Sequence, residues 1–382
     1  MRIAATCYQA SPLLGVILCT ICLAALPERA HADRKSDFYI QQATDRYFTL
    51  PKDARSLAMG GASSLTCLAA ACVYMNPAAL GFLSTASLSA SAGTRSVTGD
   101  EFLSGDQITL EEWNGYLVGA LPLGVGDTDA KGARAKYGTI AGAYSRYAGN
   151  TDDALSTTPD GHRRTFGVGY AIDEQVSFGY AFHFLDDQLR TDLSDAHSHG
   201  RFYHDFATQI LLPQRYVIGA SFRLGIGQTD TEDFVLKSNG VSHLRQYTGE
   251  IAVSKTWDPV TAVFAVGYTH QSSEADSLEF SEPVVIDGNE SGEDINIRLG
   301  TEYQISQSFL LRAGARYRNT TYDFSREKFE EIEGRLLAFG AGLGLGYVFA
   351  LGQHTLRLDY GAEYTDAGYG SWEQILSLSV EL

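Results

Sequence analysis

Asp195, His197, His199, His204 and Asp205 bring imidazole and carboxylate groups together at a spacing that a divalent transition metal would accept. The stretch is polar and leads into an alternating run, so a solvated loop entering a strand is the plainer account, and no metal is expected. Asp287, Asn289, Ser291 and Gly292 imitate the start of a calcium loop, yet its twelfth position holds Arg298 where a bidentate Glu is required. Gly340, Gly342, Gly344 and Gly346 could pass for a phosphate loop, but no helical pattern follows them. No Ser, His and acid stand in a clear catalytic setting. The expectation is a protein that is not an enzyme and uses no cofactor.

Two other groups of residues could do chemistry. Arg223, Glu250, Arg298, Glu302, Arg312, Arg316, Arg357, Asp359 and Glu363 sit on faces otherwise made of small residues, and being of both signs they can pair in a wet interior. Arg298, Arg312 and Arg316 could instead hold a ligand carboxylate through charge-assisted hydrogen bonds. Cys67 and Cys72, five apart, could close a small disulfide loop in an oxidising compartment or stand as two buried free thiols.

The elements that must position these groups are strands. From Ala86 onward apolar and small or polar residues alternate with period two, as in Val176, Phe178, Tyr180, Phe182 and Phe184 against Ser177, Gly179, Ala181 and His183. About fourteen such runs can be counted, each of a length that suits a tilted membrane crossing. Connections after odd-numbered runs are mostly long and those after even-numbered runs mostly tight, such as Pro213-Gln214 and Asp258-Pro259-Val260, with 123–135 the exception. Pro122, Pro159, Pro213, Pro259 and Pro283 fall between the runs, where a sheet without open edges must put them. The second face decides against a soluble sandwich or propeller: bulk water would want Lys, Glu and Thr there, whereas Gly340 to Gly346 alternate with Phe339, Ala341, Leu343, Leu345 and Tyr347. The expected fold is therefore all-β, a 14-stranded antiparallel transmembrane β-barrel over 86–382 with small residues facing inward.

The seven long connections together are more acidic than the whole chain, whose formal charge is −17. That balance gives no footprint for nucleic acid. An acidic rim could bind divalent cations at lipid head groups, although acidic loops are also simply soluble loops.

Residues 1–32 read as a signal peptide, with Arg2, an apolar core from Leu13 to Leu26 and Ala30-His31-Ala32 as the cleavage site. Residues 33–85 form an N-terminal tail and a plug. Within them Asp53 to Leu83 is the one long mature segment that is apolar without alternating; Gly60-Gly61 mark a turn and Asn76-Pro77-Ala78 end it, Pro77 forbidding regular structure through its own position.

The run ARSLAMGGASSLTCLAAACVYMNPAALGFL, placed between a leader and fourteen strands, resembles the FadL-like outer-membrane proteins, including the PorV-like and spirochaetal branches. Gly60-Gly61 and Asn76-Pro77-Ala78 carry the motif match; Cys67 to Cys72 stand where the family has an aspartate-rich stretch. The resemblance implies a lumenal hatch, residence in the outer membrane of a diderm bacterium, and contact with membrane lipid and the barrel-insertion machinery. The last strand ends in Leu382 rather than the aromatic residue usual for that machinery's signal. It also implies passive uptake of hydrophobic small molecules such as long-chain fatty acids, through an oily pocket beside a hatch that rearranges around Asn76-Pro77-Ala78. A PorV-like accessory that docks a secreted protein partner, or a surface antigen or adhesin, are the alternatives.

Overall fold

The computed structural model describes residues 53–67, 69–100, 107–123, 138–151, 158–190, 194–233, 238–279, 288–326, 329–367 and 370–382. The expected signal peptide, the tail 33–52 and most of the tips of the long connections lie outside them.

Fourteen strands follow the plug: β1 (Ser87–Asp100), β2 (Gln107–Leu123), β3 (Gly138–Thr151), β4 (Thr158–Ala171), β5 (Val176–Arg190), β6 (Ser194–Leu212) and β7 (Tyr216–Asp233). The second half comprises β8 (Ser238–Trp257), β9 (Val260–Glu279), β10 (Gly288–Gln304), β11 (Phe309–Arg326), β12 (Phe329–Leu351), β13 (His354–Asp366) and β14 (Gly370–Glu381). Each pairs antiparallel with its chain neighbours, and β1 pairs with β14 from Ser87 opposite Glu381 to Thr98 opposite Gly370, so the sheet is a closed barrel. Closure leaves no edge with unpaired backbone groups.

The tight turns have local reasons to turn. Asp173 Oδ1 accepts from the backbone N–H of Gln175 and Val176, both at 2.7 Å, and Ser306 Oγ accepts from Phe309 at 3.1 Å. At the other end the strands run further than the alternation indicates. β4 begins at Thr158 rather than near 164, and β8 and β9 extend to 20 residues each, so that Pro159 lies inside β4, and Pro122 likewise lies inside β2 near its end, rather than between strands as expected. The reason is physical: once both faces are wet the period-two contrast fades, while backbone pairing continues. Strand length is uneven around the barrel, from 12 residues in β14 and 13 in β13 to 23 in β12.

The oily face points outward. Phe178, Phe206, Phe222, Ile251, Leu343 and Leu376 are all exposed, and an apolar face of this kind is stable against hydrocarbon rather than water. The inward face carries arginines and carboxylates. Lys255, the one lysine among the described residues, stacks over the Tyr216 ring at 3.8 Å near a tight turn.

The plug occupies the lumen as four short pieces: α1 (Ala54–Ala58), a 3-10 turn (Ala69–Ala71), α2 (Cys72–Met75) and a 3-10 helix (Pro77–Phe82). Wall glycines form its seat. A Cβ on Gly314 would lie 2.0 Å from the Met59 carbonyl carbon, on Gly361 2.0 Å from the Ala54 carbonyl oxygen, and on Gly179 2.1 Å from the Ala78 nitrogen. Of the alternating glycines of β12, Gly342 and Gly344 face α1, whereas Gly340 and Gly346 make room for the side chains of Arg316 and Arg312. Gly60 and Gly61, at φ +62° and +80°, turn the chain back against β11 and β10.

These contacts separate two classes of glycine. Gly314→Ala should lower unfolding stability by about 1–3 kcal/mol through overpacking. Gly142→Ala, where a Cβ meets nothing within 4 Å, should stay within about 0.5 kcal/mol. Urea unfolding in lipid vesicles measures both, and equal effects would remove the seat.

Candidate functional site: the lumenal hatch and a cavity beside it

Two different edges hold the hatch. α1 is N-capped by Asp53, whose Oδ1 accepts from Ser56 N–H, and this presents Arg55 to the wall. Arg55 Nη2 donates to Glu302 Oε1 at 2.9 Å, while the other Glu302 oxygen accepts from Arg312 Nε at 2.7 Å and Arg357 Nη2 at 3.2 Å. Arg312 and Arg357 share Asp359 in turn. The Arg312 side chain is fully buried in this network and also donates to the Leu345 carbonyl at 3.2 Å. Further along, Ser64 Oγ donates to Glu250 Oε1 at 2.8 Å, and Arg298 donates Nη1 to the Gly61 carbonyl at 2.9 Å and Nη2 to Glu250. Glu250 and Arg298 thus grip the hatch turn from β8 and β10.

The opposite edge is apolar. Ala70, Ala71, Cys72, Val73, Tyr74 and Leu80 pack against Tyr116, Val118, Ala120, Ala141 and Ala181 on β2, β3 and β5. Asn76 and Pro77 end this edge near a tight turn. Asn76 Oδ1 accepts from Ala78 N–H at 3.2 Å and its Nδ2 donates to Gln209 at 2.9 Å, while Ser177 Oγ donates to the Ala78 carbonyl. Cys67 and Cys72 are free and buried, the second of the two states the sequence left open. Both thiols belong to the apolar cluster, and burial together with the neighbouring Cys67 thiol pushes the Cys72 thiol up.

A cavity of about 220 Å³ lies against the hatch, with Gly60, Gly61 and Ser64 on one side and Asn296, Arg298 and Arg316 among the wall groups on the other. Its lining mixes charged and polar groups with apolar surface from Tyr74, Met75, Tyr317 and the arginine stems. Of the expected residues, Gly60, Gly61, Arg298 and Arg316 meet there; Arg312 does not, and Asn76, Pro77 and Ala78 lie elsewhere on the hatch. Arg316 pairs with Glu363 at 2.6 Å. Of the residues at ligand-like spacing, His204 faces outward and bonds Tyr180 at 2.9 Å whereas Asp205 faces inward; the side chains of Asp195, His197 and His199 lie outside the described residues. Among the described residues no group of His, Cys, Asp and Glu could hold a metal.

One arrangement was not visible in the sequence. Thr165 Oγ1 lies 2.8 Å from His183 Nδ1, and His183 Nε2 lies 3.3 Å from Asp205, a hydroxyl, imidazole and carboxylate in a row across β4, β5 and β6. Asp205 is taken by both Nε and Nη2 of Arg223, and the Tyr74 ring stacks on the wholly buried His183 at 6.3 Å. The row seats the hatch. A signal for it did exist in the inward positions of three consecutive strands, but the register between them is set only by pairing.

Removing the centre of the ion network is the sharpest test of its role. Arg312→Ala leaves Glu302 and Asp359 short of a partner and should destabilise the barrel by about 3–5 kcal/mol. Denaturant unfolding checks it; a change under about 1 kcal/mol would mean the network is loosely solvated. Alkylation without reductant, mapped by mass spectrometry, should modify Cys67 and Cys72 in the unfolded chain, and unmodified disulfide-linked peptides would restore the bond.

With this geometry in place, similarity to solved structures can be weighed. A FadL homologue from Pseudomonas aeruginosa superposes with a TM-score of 0.57 at 12% identity, over 87% of this chain and 98% of that one. The deltaS2 mutant of the TodX monoaromatic hydrocarbon channel gives 0.57 at 12% identity, over 87% and 99%. The CymD monoaromatic hydrocarbon channel gives 0.51 at 11%, over 86% and 96%. No protein-family model and no curated protein matches the sequence. Fourteen strands closed around an N-terminal hatch, over almost the full length of these structures, give this chain the fold of the FadL-like outer-membrane channels.

Proposed function

We propose that this protein is an outer-membrane channel through which small molecules with substantial apolar character move passively, the hatch acting as the gate. The observation that carries the reading is how the hatch is held: by hydrogen bonds, ion pairs and packing to the wall, with no covalent tie among the described residues. Such contacts break and reform without a chemical energy source, so diffusion down a gradient needs no cofactor. The outward apolar face fits a lipid environment, and a barrel of this kind requires the barrel-insertion machinery to reach it. Long-chain fatty acids remain one cargo class within the proposal, and the fold neighbours that are monoaromatic hydrocarbon channels add compact aromatic solutes to it. Arg298 and Arg316, which line the cavity, are the residues for a cargo carboxylate. Arg312 is placed to hold the wall together instead.

Locking the hatch tests the gate. A Cβ on Gly81 would sit 3.0 Å from Ser177 Cβ and 3.0 Å from the Tyr170 carbonyl carbon, so a backbone shift of about half an ångström away from both brings the pair into disulfide range. Gly81→Cys with Ser177→Cys, in a background where Cys67 and Cys72 are Ala, should pin the Pro77–Phe82 helix to β5. In vesicles containing lipopolysaccharide, influx of labelled toluene, octanoate and hexadecanoate should fall to the empty-vesicle rate when the pair is oxidised and recover on reduction. Equal influx in both states would end the gate.

A further inference from the structure

We infer that the cavity beside the hatch binds a compact organic anion carrying a hydrogen-bond donor, of the size and polarity of a hydroxybenzoate, and that binding there releases the Gly60-Gly61 turn. The inference rests on the channel reading and narrows its cargo.

Three observations carry it. The first is the chemistry of the lining. Arg223, Arg298, Arg316 and Arg318 all border the cavity, while Glu250 and Asp294 are the carboxylates that border it, so the cations outnumber the acids facing the space. Asp205 and Glu363, which balance Arg223 and Arg316, do not line it. A guanidinium keeps its charge at every working pH and presents several N–H groups in a plane, which suits a carboxylate and also the face of an aromatic ring. The second is a set of buried polar atoms with no partner in the protein: Arg298 Nε, Gln246 Oε1 and Asn296 Oδ1. Gln246 is only 1% exposed and it lines the cavity, as do the other two residues. Turned toward the space, this one donor and these two acceptors suit a ligand that offers an anionic oxygen and an N–H or O–H. The third is size and apolar surface. About 220 Å³ is below the usual range for drug-sized ligands and too small for a long acyl chain, and the apolar surface that Tyr74, Met75 and Tyr317 supply is interleaved with the charged groups, which suits one ring carrying polar substituents. A long acyl chain gains transfer energy only where apolar surface receives it, and a bare hydrocarbon would leave the guanidinium and amide groups unpaired. The acidic outer connections oppose an anion's approach, but beyond a Debye length of about 8 Å at physiological salt they are screened.

Release of the turn follows from Arg298, which is both cavity wall and latch. Its Nη1 holds the Gly61 carbonyl at 2.9 Å and its Nη2 holds Glu250, which also accepts from Ser64 of the hatch. An anion that draws this guanidinium toward itself competes with a neutral carbonyl and wins, because a charged acceptor makes the stronger bond. The turn then keeps its packing against β11 but loses its polar anchor.

The buried thiols report on the hatch without engineering, since Cys67 and Cys72 are 7% and 1% exposed. Purified full-length protein in detergent would be titrated calorimetrically with 4-hydroxybenzoate, benzoate, 4-hydroxybenzyl alcohol and hexadecanoate. Maleimide labelling of the Cys67 and Cys72 peptides would be followed in parallel by mass spectrometry. The expected result is saturable binding of 4-hydroxybenzoate, on the order of tenfold weaker binding for each probe lacking the anion or the donor, and several-fold faster labelling with ligand bound. Arg298→Gln combined with Glu250→Gln, which removes both charges together and whose folding is checked by heat-modifiable mobility, should lose the binding and label fast without ligand. Hexadecanoate or the neutral alcohol binding as tightly as 4-hydroxybenzoate would overturn the ligand class. Bound 4-hydroxybenzoate that leaves labelling unchanged would overturn the coupling. Solute influx in vesicles reads the channel separately: influx without 4-hydroxybenzoate binding sinks this inference alone, and binding with no influx of any solute sinks the channel reading while the site stands.

Discussion

Each backbone N–H and C=O on the wall needs a partner, and hydrocarbon supplies none, so the sheet has to close on itself. The pairing of β1 with β14 meets that demand and fixes everything inside. Closure sets the register between strands far apart in the chain, and register decides which inward side chains meet. Glu302 on β10, Arg312 on β11 and both Arg357 and Asp359 on β13 converge because fourteen consecutive pairings leave them no other arrangement. The hatch then fits into a space already shaped by glycine on one part of the wall and by fixed charge on another.

That interior solves a problem of polarity. A lumen wide enough to hold a plug is too wide to be filled by wall side chains alone, and small residues there bring the plug backbone to within contact distance of the strands. Where wall and hatch touch through apolar groups, the union is close-packed. Where they touch through arginine and carboxylate, geometry is demanded and any unmatched charge is expensive. The two edges of the hatch therefore respond to different perturbations, the first to changes in side-chain volume and the second to changes in charge.

Much of this was legible in the sequence. Lipid on one side and a packed lumen on the other impose a contrast at every second residue, and the contrast in Val176 to Phe184 is seen directly in the exposed Phe178 and the buried Ser177 and His183. The hatch was legible because it breaks that contrast and because Pro77 closes it. Strand ends were not, since alternation fades in water while pairing persists, as in β4 and β9. The charge partners were only partly legible. Arg55 and Glu302 are 247 residues apart, so composition can say that opposite charges are present but not which will touch. The cysteines were ambiguous for a local reason: five residues apart, in a stretch of alanines, they suit a small loop and an apolar packing site equally.

The unequal strands have one more consequence. β12, β9 and β8 are among the longest, with 23, 20 and 20 residues, whereas β13 and β14, which lead round to β1, have 13 and 12. Measured from the tight turns, the backbone ladder therefore reaches further along β8, β9 and β12 than along β13 and β14. The shortest stretch of that ladder falls beside the seam where the first and last strands pair, so closure rests there on the twelve residue pairs from Ser87 opposite Glu381 to Thr98 opposite Gly370.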